Sequence, residues 1–238
     1  MDLPIPALQD VVRLTGHDLD STAINLRRYY RSTGSVWGYD PCKKLAPAVF
    51  SLQMSRQAAV NACGQKGHPL GRPHNREVGG LIWDAAAGRG TFMCHPLKPR
   101  KLALRRDFSV TVDPLFSFRE NGRHVIVYLQ PRRTHVPGAH GLRLIASAIS
   151  SLFAVDELEG ADVLLLDASM PEGAESRQIN CYNLEDLPLL EPAQMEAQFQ
   201  RFVDAYDRLT AEGVKRKERR PKPPRDLGED LFGSPQPA

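Results

Sequence analysis

The chain has 238 residues, enough for one sizeable globular domain with a small appendage. Its 42% hydrophobic and 25% charged content is that of an ordinary globule. No apolar run approaches the ~18 residues of a membrane span, and MDLPIPALQDVVRL lacks the basic-then-apolar order of a secretory leader, so a cytoplasmic protein with no membrane partner is predicted. The net charge of +3 is matched by the segment from Lys215 onward, with seven basic and four acidic residues; the body is then formally neutral and can meet nucleic acid only through a local patch.

Up to about Gly71 the chain reads as helical or irregular. Leu19 to Tyr30 is predicted as a helix beginning near Ser21, and Ala46 to Ala62 as a second one that Pro47 opens. GSVWGYDP between them and GQKGHPLGRPHN after them are turns and loops by Gly and Pro content. Residues 1–71 are thus a helical N-terminal region, either a unit of its own or the helical flank of the domain after it. Cys42, Cys63, Cys94 and Cys181 form no Cys-x-x-Cys pair and are expected as free thiols. Cys63, His68 and His74 match no common zinc-finger spacing and are read as loop residues.

Residues 72–213 carry an α/β pattern. A helix is predicted from Asn75, whose side chain can cap it, through Glu77 and Trp83 toward Gly88. Short strands come next around Phe92 and Leu102, and Phe108, Val110 and Val112 alternate with polar residues as a half-buried strand does. Leu115 to Phe118 is expected to continue that strand, Asn121-Gly122 to turn it, and His124 to Gln130 to return antiparallel. Leu142, Ile145, Ile149, Leu152 and Phe153 recur at helical spacing, and ADVLLLD (161–167) is apolar enough for a strand buried on both faces. A further strand over Arg177 to Tyr182 and a helix from Pro192 to Gly213 complete a mixed central sheet flanked by helices.

Residues 105–133 concentrate the chemistry. Hydrolysis of a phosphodiester with Mg²⁺ needs carboxylates to hold the ion and a polar group to align water. Gln130 and Arg132 lie two apart, hence on one strand face, and an antiparallel neighbour can bring Asp113 beside them. Glu77, on the upstream helix, is the natural further carboxylate. Each also has a plain structural role: Asp113-Pro114 as a turn pair, Gln130-Pro131 as a strand end, Arg132-Arg133 as a solvated edge, Glu77 as a helix N-terminal acid. Asp156, Asp162 and Asp167 flank the buried strand as caps or solvated ends, and His135 and His140 are read as surface-loop residues.

In this order Glu77, Asp113, Gln130 and Arg132 resemble the TnsA-type transposon endonucleases of the restriction-endonuclease-like superfamily. The resemblance runs from about Glu77 to Leu184. It implies a restriction-endonuclease-like α/β fold and metal-dependent DNA cleavage within a mobile element. Glu77, Asp113 and Gln130 would hold Mg²⁺, and Arg132 would stand where the family has Lys. DNA, a separate transposase and a regulatory ATPase are the partners so implied. Guanidinium is wider than ammonium and always charged, so Arg132 is suited to clamp a phosphate rather than to share a proton.

The tail, residues 214–238, is Lys-, Arg- and Pro-rich and expected to be disordered. Lys215, Arg216, Lys217, Arg219 and Arg220, with Arg133, are candidate DNA-backbone contacts. Leu227, Leu231 and Phe232 form a candidate partner-binding peptide. Three functions stay open on the sequence: an endonuclease, the same fold with a lapsed site serving as a DNA-binding or assembly subunit, and a protein-interaction module without a DNA role.

Overall fold

The alternation along two adjacent strands organises the molecule. In the computed structural model, which describes residues 3–34, 37–51 and 54–217, β5 (Arg123–Gln130) and β6 (Asp162–Asp167) run parallel in register from Val125 opposite Asp162 to Gln130 opposite Asp167. Ile126, Tyr128, Val163 and Leu165 point into one apolar cluster, and Val125, Val127, Leu129, Leu164 and Leu166 into another. Successive side chains of a strand face opposite ways, so each strand feeds a core on either side of the sheet.

Helices cover both faces. The first cluster takes in α1 (Leu8–Leu14), α2 (Leu19–Arg31), α6 (Ala139–Phe153) and α7 (Pro192–Ala211); the second takes in α3 (Asp40–Phe50), α4 (Arg56–Gln65) and α5 (Arg72–Ala86). The helices of residues 1–71 are therefore built into both cores. Asp18 opens α2, its carboxylate accepting the Ser21 N–H at 2.7 Å while Ser21 bonds back, a capping box that starts the helix earlier than Ser21 itself. The predicted helix over Ala46 to Ala62 is two helices: Pro41 sits in the first turn of α3, Pro47 lies inside it, and Ser55 caps α4 through the Ala58 N–H. Cys63 and His74 are helical, not loop, residues, and all four cysteines are free thiols.

The five-stranded sheet has the order β1 (Phe92–Pro96), β4 (Phe116–Glu120), β5, β6, β7 (Asn180–Tyr182), with only the β5/β6 pair parallel, and α6 crosses over between those two strands. Asn121 and Gly122 both have positive φ (50° and 80°), as the two-residue turn between β4 and β5 requires. The expectation that Phe108 to Phe118 forms one strand is corrected. β2 (Arg100–Arg105) and β3 (Phe108–Val112) form a separate hairpin, and β4 belongs to the main sheet. Pro114 has no N–H to give a ladder, so Val112 ends the hairpin and Leu115 starts anew, donating to the Val127 carbonyl at 2.8 Å. Asp113 is thus at a corner between two sheets.

Gly213, at φ 69°, ends α7, and the Val214 N–H returns to the Leu209 carbonyl. The Lys217 N–H then bonds the Tyr30 carbonyl at 2.9 Å, tying the chain back to α2. Among the described residues no helix is long and apolar enough to cross a membrane.

Candidate functional site

Of the predicted site residues, Gln130 and Arg132 fall at the carboxyl end of β5, beside that of β6, where open α/β sheets usually bind ligands. Gln130 is fully buried there. Its Oε1 accepts the Arg132 N–H at 2.7 Å, and its Nε2 donates to the Arg132 carbonyl (3.2 Å) and to Asp167 Oδ1 (2.9 Å). The amide side chain therefore closes a turn after β5. Asp167 also takes the N–H and hydroxyl of Ser169, so its predicted capping role is joined by a cross-strand one.

Arg132 does not point to open solvent. Both its terminal nitrogens bond the two carboxylate oxygens of Asp10 on α1 (2.7 and 2.6 Å), and Arg13 adds a third bond to Asp10 at 2.7 Å. The Asp10 side chain is only 6% exposed, against 29% for Arg132. A bidentate pair of this kind fixes orientation as well as charge.

Glu77, on α5, faces Arg177, whose guanidinium is 0% exposed. The Arg177 Nε stands 2.9 Å from the Glu77 carboxylate without the alignment of a hydrogen bond. Its other nitrogens donate to the carbonyls of Pro131 (2.6 Å) and Ala168 (3.1 Å) and to the Tyr39 hydroxyl (2.7 Å). Arg177 thus links Glu77 to the strand ends that carry Gln130 and Arg132. Asp113 lies apart from this knot, 46% exposed, with the Lys43 ammonium of α3 at 3.4 Å.

This arrangement does not fit a divalent cation. Glu77 is held by a buried cation, the Gln130 oxygen is taken by a backbone N–H, and Asp113 pairs with Lys43. No three His, Cys, Asp or Glu side chains converge among the described residues in a way that could hold a metal.

Beside the knot a cleft of about 1020 Å³ opens between α1 and α2 on one side and the Trp37–Lys43 stretch on the other, over the Pro131–His135 segment that succeeds β5. Seven basic side chains line it (Arg13, Arg28, Lys43, Arg132, Arg133, Arg177 and Arg216) against two acidic ones, Asp10 and Asp40. Two of these cations have carboxylate partners outside the lining, Arg177 with Glu77 and Lys43 with Asp113, so the local excess of positive charge is three. Of the predicted DNA contacts, Arg133 and Arg216 line this cleft; Lys215 and Lys217 are exposed nearby in sequence. Arg219, Arg220, Leu227, Leu231 and Phe232 lie outside the described residues.

Aromatic side chains complete the walls. Trp37 stacks on His74 (centroids 4.8 Å apart, planes 6° apart) and meets Tyr39 edge-on, while Tyr29 lies under the Arg13 guanidinium at 5.7 Å. Burial pushes the Tyr29 and Tyr39 hydroxyls above their ordinary pKa, so neither adds negative charge near neutral pH. His135, read as a surface residue, also lines the cleft. Asp10, Lys43 and Arg177 were not among the site residues expected from sequence, because each is tied to the site by contacts across long sequence separations.

No family model matches the chain, and no curated protein or solved structure matches it either.

Proposed function

We propose that the chain is a nucleic-acid-binding protein built on a restriction-endonuclease-like sheet, with its candidate catalytic acids bound up in structural ion pairs. The observation that carries this reading is the cleft: seven basic side chains against two acidic ones, at the carboxyl ends of β5 and β6. Two of its cations, Arg132 and Arg133, follow Pro131 just after the Gln130 strand end. The succession of helix, three antiparallel sheet strands, crossover helix and parallel strand supports the nuclease-like fold, since a helix and a buried strand after the hairpin are the order that the TnsA resemblance implies. On this reading the protein acts as a DNA-contacting or assembly subunit beside a separate transposase and a regulatory ATPase. The test is a DNA titration across salt: affinity should fall steeply between ~50 and ~200 mM salt, as release of phosphate counterions dictates. Absence of binding at the lower salt would reject the reading.

The endonuclease reading keeps one observation in its favour. Asp113 is nearly half exposed and has an ammonium group, Lys43, at 3.4 Å, so an acid and a lysine meet at the strand corner although Arg132 stands where the family has Lys. Nicking of supercoiled plasmid with Mg²⁺ or Mn²⁺ separates the two: the binding-subunit reading expects none, and cleavage abolished by Asp113→Ala would establish the enzyme.

A further inference from the structure

The cleft is concave, and its two kinds of wall are chemically distinct. We infer that it holds a few nucleotides of a single strand, with phosphates on Arg28, Arg133 and Arg216 and a base against the Trp37–His74 wall. The inference rests on the nucleic-acid reading above and names which form of nucleic acid the site takes.

Three observations lead there. First, a volume of about 1020 Å³ lies at the top of the roughly 300–1,000 Å³ range of small-ligand pockets, so it accommodates several nucleotides but no turn of a duplex. A duplex carries its phosphates on the outside of a wide rigid cylinder and would meet only the rim. Second, the cations divide by partner. Arg132 is bound by Asp10, Arg177 by Glu77 and Lys43 by Asp113, whereas Arg28, Arg133 and Arg216 form no ion pair among the described residues. Arg133 is steadied by bonds to the Met170 sulfur and the Glu175 carbonyl, leaving its charge uncompensated. Third, Trp37, Tyr39 and His74 form a contiguous, partly exposed aromatic wall inside a polar cleft. Stacked aromatics interleaved with arginines are how proteins hold unpaired strands with little sequence preference, whereas duplexes hide their base faces.

The experiment uses the full chain and a fluorescent oligothymidylate of about twenty residues, with a duplex of equal length and thymidine monophosphate as competitors. Trp37 and Trp83 are the two tryptophans, and Trp83 donates its N–H to the Met54 carbonyl in the second core, so a Trp83→Phe background makes Trp37 the sole reporter. The single strand should bind at least ~10-fold tighter than the duplex and quench Trp37. Trp37→Ala should weaken single-strand binding by about 5- to 100-fold, the range for loss of one stacked base, while Trp37→Phe retains most of it. Duplex binding equal to or tighter than single-strand binding would overturn the inference and leave the proposed function standing. Unchanged affinity in a folded Trp37→Ala protein would also overturn it, as would competition by the mononucleotide at equal phosphate concentration, which would assign the cleft to a free nucleotide. Failure of both DNA forms to bind would remove the proposed function along with it.

Discussion

Two groups of arginines stand within one cleft and its floor, and they differ in what surrounds them. Arg132 and Arg177 are held by carboxylates, carbonyls and a tyrosine, with Arg177 wholly inaccessible and Arg132 in a two-pronged pair with buried Asp10. Arg28, Arg133 and Arg216 face the cleft without acidic partners among the described residues. The first group carries charge that the protein itself neutralises, and so serves to pin α1, α5 and the strand ends together. The second leaves a net positive field for something anionic from outside. Residue type alone does not separate the two roles; burial and the nearest carboxylate do.

The largest effect should come from Arg177. Replacing it by Ala should leave the Pro131 and Ala168 carbonyls without a donor and Glu77 without its cation. Breaking a buried charge pair by removing one partner costs about 3–5 kcal/mol, and the lost bonds place Arg177→Ala in that range. Urea unfolding should show the loss as a lower midpoint with an unchanged slope. A variant within ~1 kcal/mol of wild type would mean that the knot contributes little to stability.

Asp10→Asn tests whether the first group can be converted to the second. It removes the charge that neutralises Arg132 and draws on Arg13, so stability should fall by about 2 kcal/mol, less than at Arg177 because Arg132 is 29% exposed and can be hydrated. At the same time the released cations should add about one phosphate contact, steepening the salt dependence of DNA binding by about one in the log–log slope. Lower stability with tighter, more salt-sensitive binding is the expected pair of results. Weaker binding would show that the Asp10 pair positions Arg132 for DNA.

How much of this the sequence reveals depends on the range of the interaction. The β4–β5 hairpin, α6 and α7 arise from local signals: Asn121-Gly122 demands positive φ, α6 repeats its apolar residues at helical spacing, and Pro192 and Gly213 mark the ends of α7. The switch of sheets at Asp113 does not, because an alternating pattern on both sides of Pro114 is compatible with one strand until it is known which strands pair. The site behaves likewise. The order Glu77, Asp113, Gln130, Arg132 is visible along the chain, yet the partner that fixes Arg132 is 122 residues away on α1, and the cation facing Glu77 comes from the loop before β7. A single Asp in a short N-terminal helix gives no local sign that it will be 4% exposed and paired with an arginine.

The smallest effects on stability should come from the second group itself. Among the described residues the Arg133 guanidinium bonds the Met170 sulfur and the Glu175 carbonyl and no carboxylate, and Arg216 lies on an exposed stretch, so substituting either by Ala removes no buried charge pair. Surface changes of this kind alter stability by roughly 0.5 kcal/mol or less. Each should nevertheless reduce the salt slope of DNA binding by about one, because each removes one phosphate contact, and the double variant should lose about two if the contacts are independent. A single strand and a duplex measured side by side would show whether both arginines act on the same DNA form. Loss of slope without loss of stability is the signature of cations that serve an outside ligand, the reverse of what Arg177→Ala should give. If Arg133→Ala instead lowered stability and left the slope unchanged, Arg133 would join the structural group, and the cleft would lose one of the three cations assigned to phosphate.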